Sequence, residues 1–392
     1  MRGGWRGDRS TAEKGMIKFN KASITSLEKQ YVTDCLENSI LSGDGKYTMK
    51  VYDWFKNKFD IENMLLTTSG TTALEMASIL INLEQGDEVI TPSFTFSSTV
   101  NAFLLRGARP VFCDIRKDTM NLDETKIEEL ITDKTKAIYA VDYAGIPCAM
   151  DEINEIADRH GLFVIEDAAQ SVGSTYKGRW AGTLAEFGCY SFHETKNLAM
   201  GEGGAIVLNE DKYVDRAEII REKGTNRRHV LKGWVDKYTW YDIGSSFLPS
   251  DILAALLMAQ LDRYDEIWEK RHNVWNIYHE QLKELEDKGL LVRQYVPKEV
   301  EHNAHMYNIL LPTDEIRTKL VAALKEKDIM AYICYVPLHS SPMGKKLGYT
   351  ESDCPVTEDY GKRCLRLPLH ADMTTEDAER VVREIKKCLG RF

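Results

Sequence analysis

From about residue 64 the chain alternates short apolar runs with amphipathic stretches. That rhythm predicts strands separated by helices. Apolar runs at 88–91, 110–113, 137–141 and 162–166 read as strands, and segments 72–83, 98–106, 123–131 and 151–160 carry helical spacing. Strand–helix–strand repeats at this pace build a mainly parallel sheet covered by helices, which is the α/β class. Ligands of such sheets sit at the carboxyl ends of the strands, so residues there are the first candidates for chemistry. Two further strands, 188–192 and 205–208, flank a glycine-rich connection, and one long helical pattern starts at Asp251. The rest alternates again: a strand-like 305–312, a helix from Asp314, a strand at 331–336 and a terminal helix from Thr375. The expected organisation is a large domain over 16–262 and a smaller C-terminal α/β domain over 263–392.

Composition narrows the functional classes. At 392 residues, 43% hydrophobic and 29% charged, the chain has the make-up of a globular protein with a sizeable core. A net charge of −10 argues against nucleic acid as a partner, since phosphate backbones demand a basic footprint. No apolar run approaches the ~20 residues of a membrane span, and no membrane partner is expected. The eight cysteines are scattered without a CxxC pair, so reduced thiols and a cytoplasmic setting are expected. Residues 1–15, Gly- and Arg-rich without an apolar stretch, read as a disordered leader or tag.

Three features then fall in a telling order. Ser69-Gly70-Thr71 stands where an apolar run meets a helix, and a helix N-terminus offers unpaired N–H groups to a phosphate. The same residues also suit an ordinary N-cap. Asp167 follows the strand LFVIE and precedes Ala168-Ala169-Gln170, a place from which a carboxylate can pair with a protonated ring nitrogen. Ser191-Phe192-His193-Glu194-Thr195-Lys196-Asn197 carries one lysine beyond another strand, with glycines behind it. A lysine must be neutral to attack an aldehyde, and desolvation drives it that way. Phosphate seat, strand-end acid and lysine, in this order, are what a pyridoxal 5'-phosphate (PLP) site requires. His193 and Glu194 lack the spacing of HExxH, and His302 and His305 lack a carboxylate context, so no metal is expected. The run Gly201–Gly204 does not fit a dinucleotide fingerprint.

The strings SGTTALEMA, ITPSFTFSSTVNAF, FVIEDAAQ, SFHETKN, GEGGAIV and YVPLH resemble the DegT/DnrJ/StrS family of sugar aminotransferases, from Met16 to the C-terminus. The resemblance implies a fold-type I, aspartate aminotransferase-like PLP enzyme. It places the cofactor as a Schiff base on Lys196, with Asp167 at the ring nitrogen and Gln170 near the ring oxygen. It assigns the phosphate to Ser69, Gly70, Thr71 and Ser191, and a stacking aromatic to Phe96. It further implies a homodimer with active sites at the interface, in which the basic loop 221–229, Arg227 among it, could reach a neighbour's nucleotide diphosphate or equally be a solvated loop. His193, Tyr335 and His339 are sugar-site candidates on the same ground.

Within the family, SFHETKN, REKGTNR and VDKYTWYDIGSS resemble the branch that aminates dTDP-4-keto-6-deoxyglucose with glutamate, giving dTDP-4-amino-4,6-dideoxygalactose. Pyridoxamine phosphate is then the intermediate cofactor form, and Lys196 moves protons in both half-reactions. Two departures stand out. Asp142-Tyr143 occupies a place where many relatives carry His-Tyr, and an acid facing the sugar would change its recognition. Leu248 stands where many relatives place Asn or Arg. A dehydratase of this scaffold would carry His at position 196, and a non-catalytic regulator would not need the complete set.

Overall fold

A computed structural model of the chain describes residues 15–390, apart from 39 and 232. Residues 1–14 of the expected leader lie outside the described residues. The first nine strands are β1 (Met64–Thr67), β2 (Glu88–Pro92), β3 (Arg109–Cys113), β4 (Thr135–Val141), β5 (Phe163–Asp167), β6 (Thr175–Tyr176), β7 (Arg179–Trp180), β8 (Phe187–Ser191) and β9 (Gly204–Leu208). Seven of them form one sheet in the order β1-β9-β8-β5-β4-β2-β3, with β6 and β7 in a small separate one. Only β9 runs against its neighbours; the pairs from β8 to β3 are parallel.

Alternation along the strands divides the core. In β4, Ala137 and Tyr139 face one apolar cluster with the helix Gly70–Leu80, while Ile138 and Ala140 face another with the helix Met150–His160. Both faces are covered, so the strands read as continuous apolar runs without a polar side. A third cluster packs Leu66, Tyr190 and Val207 against the helices Lys46–Phe59 and Asp251–Asp262. Each large apolar side chain removed from water contributes about 1.5–3 kcal/mol.

Five short strands follow: β10 (Val292–Arg293), β11 (Val300–Glu301), β12 (Tyr307–Leu310), β13 (Tyr332–Ile333) and β14 (Cys364–Leu367). Four of them make an antiparallel sheet in the order β10-β12-β14-β13. The terminal helix Thr375–Leu389 starts on a Thr374–Asp377 capping box and turns Ala378, Val381, Val382, Ile385 and Leu389 onto this sheet's core. Ile17 joins that core and bridges Ile329.

Several expectations need correction. The long helix from Asp251 is two helices, Asp251–Asp262 and Tyr264–Gln281, parted at Arg263. Segment 123–131 is only a 3-10 turn and a four-residue helix, and the strand expected over 331–336 keeps two residues. The thiols are not all reduced: Cys334 and Cys364 form a disulfide, with Cα atoms 5.7 Å apart. Sequence spacing hides this pair because the folding of β14 beside β13 brings it together. Among the described residues, no helix is long and apolar enough to cross a membrane.

Candidate active site

The parallel strands end on one edge of the large sheet, and a cavity of about 510 Å³ opens there. Val141, Asp167 and Ser191, the last residues of β4, β5 and β8, all line it. Gly204 begins the opposed β9 and pairs with both Ser191 and Thr67, which brings the start of the helix Gly70–Leu80 to the same edge. Ser69 caps that helix: its Oγ accepts Thr72 N–H at 3.1 Å, and Thr72 Oγ1 accepts the Ser69 N–H in return. The ordinary capping role and the expected place at the cavity therefore hold together for Ser69. The next N–H groups of the helix and the hydroxyls of Thr71 and Ser98, 2.7 Å apart, stand at the cavity wall. At Gly70 an added Cβ would lie 2.9 Å from Ser191 Cβ, so only glycine lets these backbones meet.

Lys196 also lines the cavity, and burial pushes its amine down to about 8, with Arg366 adding to the fall and Asp167 opposing it. Asp167 is raised from the ordinary carboxylate range by burial. The Thr99 hydroxyl, donating to Oδ2 at 2.7 Å, and the charge of Lys196 pull it back. Ala169 N–H donates to the other oxygen at 3.3 Å. Gln170 is clasped at both ends: Oε1 accepts Ala144 N–H at 2.8 Å and Nε2 donates to Tyr335 Oη at 3.0 Å. Phe96, 60% exposed, presents its ring at the cavity, and His193 and Tyr335 complete the wall.

Other candidates do not reach the cavity. Asp142 is wholly buried, accepting from Ser171 Oγ and Cys148 N–H and hydrogen-bonded to Glu166. It faces the inside of the fold, because its neighbour Val141 takes the cavity position. Tyr143 is buried too, its hydroxyl on Cys334 Sγ at 3.3 Å. His339 is fully buried, with Nδ1 2.7 Å from Ser93 Oγ and Nε2 3.6 Å from Glu358. The basic loop is already paired within its own chain: Arg227 with Glu222, Arg228 with Glu218, and Arg221 with Asp44. Asp215, Glu218 and His229 gather within 4.8 Å of one another outside the cavity.

The structure also supplies residues that the motifs did not single out. Thr99 stands one turn after Phe96 in the same string, so its spacing could have flagged it. Arg366 comes from the second sheet and carries no local signature, and His305, weighed in the sequence only as a metal ligand, lines an adjoining cavity.

The donor set fits PLP. A glycine cradle at a helix N-terminus suits a phosphate, a buried carboxylate awaits a cationic ring nitrogen, and a lysine held near neutrality suits an aldehyde carbon.

The comparisons agree with that chemistry. The profile of the DegT/DnrJ/EryC1/StrS aminotransferase family matches residues 22–386. GDP-perosamine synthase of Escherichia coli O157:H7 is 33% identical over 92% of this chain and 95% of its own. A pleiotropic regulatory protein of Geobacillus stearothermophilus is 36% identical over 83% of this chain and 84% of its own. A Streptococcus pneumoniae chain described as a sugar aminotransferase, solved in its PLP form, superposes with a TM-score of 0.88 at 25% identity, covering 96% of this chain and 99% of that one. With this cavity and these matches, the chain belongs to the DegT/DnrJ/EryC1/StrS aminotransferase family, of fold type I and dependent on pyridoxal 5'-phosphate.

Proposed function

We propose that this chain moves the amino group of glutamate to the 4-keto carbon of dTDP-4-keto-6-deoxyglucose, giving dTDP-4-amino-4,6-dideoxygalactose. The observation that carries the reading is Lys196, a cavity-lining amine at about 8 opposite the buried Asp167. At pH 7 about a tenth of such lysines are neutral, against about three in ten thousand for an ordinary one. The cofactor, when bound, supplies an electron sink for the carbanion left when the donor loses its α-proton. Lys196 takes that proton and later returns one to the sugar carbon. Asp167 keeps the ring nitrogen protonated, and Gln170 stands by the ring oxygen. Gly70, Thr71 and Ser191 hold the phosphate beside the Ser69 cap, and Phe96 covers the ring and excludes water. His193 and Tyr335 are the proposed sugar contacts. The working unit is a homodimer with its sites at the interface.

A second reading, a GDP-linked keto sugar, is favoured by the likeness to GDP-perosamine synthase. Protein loaded with PLP should show a visible absorption band that glutamate bleaches, and Lys196→Ala should lose it. Turnover of dTDP- and GDP-4-keto-6-deoxy sugars, with NMR of the product, separates the readings. An axial 4-amino group on the dTDP sugar is expected. An equatorial one, or turnover confined to the GDP sugar, overturns the proposed product, and a colourless loaded protein overturns the whole reading.

A further inference from the structure

A second cavity of about 230 Å³ adjoins the first, and Thr195, Lys196, Tyr335 and Arg366 line both. His305 lines the second beside Lys196. The segment that carries it is held from several sides. Asn303 Oδ1 accepts the His305 N–H at 3.0 Å, and Asn303 Nδ2 donates to Gln170 O and Val172 O. Buried Arg271 donates to Ala304 O at 3.1 Å and to His305 O at 2.5 Å. Ala304 turns the chain between these anchors at φ +49°, a left-handed conformation that costs energy outside glycine and that the flanking bonds sustain. The ring's own bonds then fix its tautomer. Asn197 Nδ2 donates to Asn303 O at 2.8 Å, so the atom 2.9 Å from His305 Nδ1 is the amide oxygen, Asn197 Oδ1. That oxygen can only accept, so Nδ1 carries the hydrogen and Nε2 keeps a lone pair. Nε2 has no hydrogen-bond partner among the described residues. Burial, with the charges of Lys196, Arg271 and Arg366, holds the imidazole neutral. Asn197 directly follows Lys196, so one short stretch of chain supplies both the amine and the clamp on the ring.

We infer that His305 is a positioning residue for Lys196: its Nε2 accepts a hydrogen bond from the lysine amine across the second cavity, and Asn197 fixes the tautomer that makes this possible. The inference rests on the aminotransferase reading above. A lysine that moves protons in both half-reactions needs a fixed place whenever it is not bonded to the cofactor. A neutral acceptor suits that task, because ammonium and free amine both carry N–H groups, whereas a carboxylate there would lock the ammonium form. The bond is stronger to the ammonium, so it offsets part of the fall that burial imposes on the amine. Asp167 and Arg366, the other charged groups that act on Lys196, are untouched by a change at His305. Loss of the bond and loss of packing therefore act in opposite directions. Without the acceptor in a dry site the amine falls further; with water admitted it rises towards an ordinary lysine.

Acetylation of Lys196 by acetic anhydride in cofactor-free protein, read by peptide mass spectrometry over a pH series, reports the amine directly. The wild type should show its midpoint at about 8. His305→Phe keeps a flat ring and removes the acceptor, and should lower the midpoint by at least about one pH unit, a roughly tenfold loss of proton affinity. His305→Gln, which restores an acceptor, should recover most of that fall. In PLP-loaded protein, the rate at which saturating glutamate bleaches the visible band should drop about tenfold in the phenylalanine variant. The half-bleaching glutamate concentration should stay within about threefold of wild type. Asn197→Leu, which keeps the imidazole but removes its clamp, should move the midpoint the same way and serves if the phenylalanine variant does not fold. An unmoved midpoint overturns the inference, and so does a rise towards the ordinary lysine range, which marks a loosened, wetted site. Labelling as expected in a protein that glutamate does not bleach would strike the aminotransferase reading and leave the His305 contact standing.

Discussion

Thr99 gives its hydroxyl hydrogen to Asp167 at 2.7 Å, and Thr95 Oγ1 lies 2.8 Å from Thr99 Oγ1 behind it. Burial raises the acid, so this bond sustains the ionised form that a ring cation needs. Thr99→Val keeps the shape and removes the bond, a loss of about 1.5–3 kcal/mol for a hydrogen bond to a charged group. Cofactor affinity, read by titrating PLP into cofactor-free protein, should fall at least about tenfold; an unchanged affinity would show that Asp167 does not depend on Thr99. Behind the site, Asp142 and Glu166 share a wholly buried hydrogen bond, and burial raises both carboxyls, with the charge of Glu166 adding to the rise of Asp142. Such groups hold protons more tightly folded than unfolded. Their stabilising contribution is therefore full on the acid side and is lost as pH rises from the ordinary carboxylate range towards neutrality. Asp142→Asn removes one of the two titrating groups, and urea unfolding across a pH series should give a flatter curve between about pH 5 and 8. Lys196 and Asp167 were legible as cavity-lining residues because one follows a strand and the other ends one, each within a dense local motif. Asp142 sat in an equally suggestive string, yet strand alternation turns its side chain inward, a half-period that the string does not show.

The helix Gly70–Leu80 concentrates several demands on its first turn. Ser69 closes the capping box, and Gly70 fits against Ser191 and Tyr190 with no space for a side chain. The two roles are separable. Ser69→Ala should cost about 1 kcal/mol in the unfolding of cofactor-free protein, the usual loss of a cap, and retain PLP. Gly70→Ala should keep the helical circular dichroism yet push the helix start off Ser191 and lose PLP; retention of wild-type affinity would remove the cradle from the argument. Elements built from local pattern, such as β2 to β5 and the terminal helix, were readable in advance. The break at Arg263 was not, since no Gly or Pro marks it. Its guanidinium reaches Glu28 at 2.8 Å and Ser23 O at 3.1 Å, contacts that exist only once the chain has folded. Strand β14 was missed for the same kind of reason: CLRL between a helix and PLH gains its identity from β12 and β13 on either side. With it went Arg366 and the Cys334–Cys364 pair.

At the scale of the molecule, the outer face of segment 234–243 is unusually apolar. Tyr238 and Tyr241 are each 64% exposed and Trp240 is 76% exposed. The segment is nonetheless fixed from beneath: Trp240 bridges Thr225, Tyr241 N–H donates to Gly224 O at 2.7 Å, and Trp240 Nε1 donates to Asp242 O at 2.6 Å. Gly224, at φ +75°, permits this close approach, because a Cβ there would run into Asp242 O. A backbone that holds several aromatic rings in water gains nothing as a monomer, and patches of this kind mark interfaces. In the proposed homodimer these rings are the natural centre of the contact, since aromatic anchors carry most of the energy of an interface. The double change Tyr238→Ser with Tyr241→Ser spares the hydrogen bonds that tether the segment. Sedimentation at micromolar concentration should show the wild type as a dimer and this variant with a dissociation constant raised at least about a thousandfold, since even two hot-spot side chains of about 2 kcal/mol each sum to about 4 kcal/mol and the dimer loses four. Because the proposed sites lie at the interface, sugar turnover should decline with dilution in parallel with dissociation. A monomeric wild type, or a variant that dimerises as tightly, would assign these rings to some other surface contact and leave the active site complete within one chain.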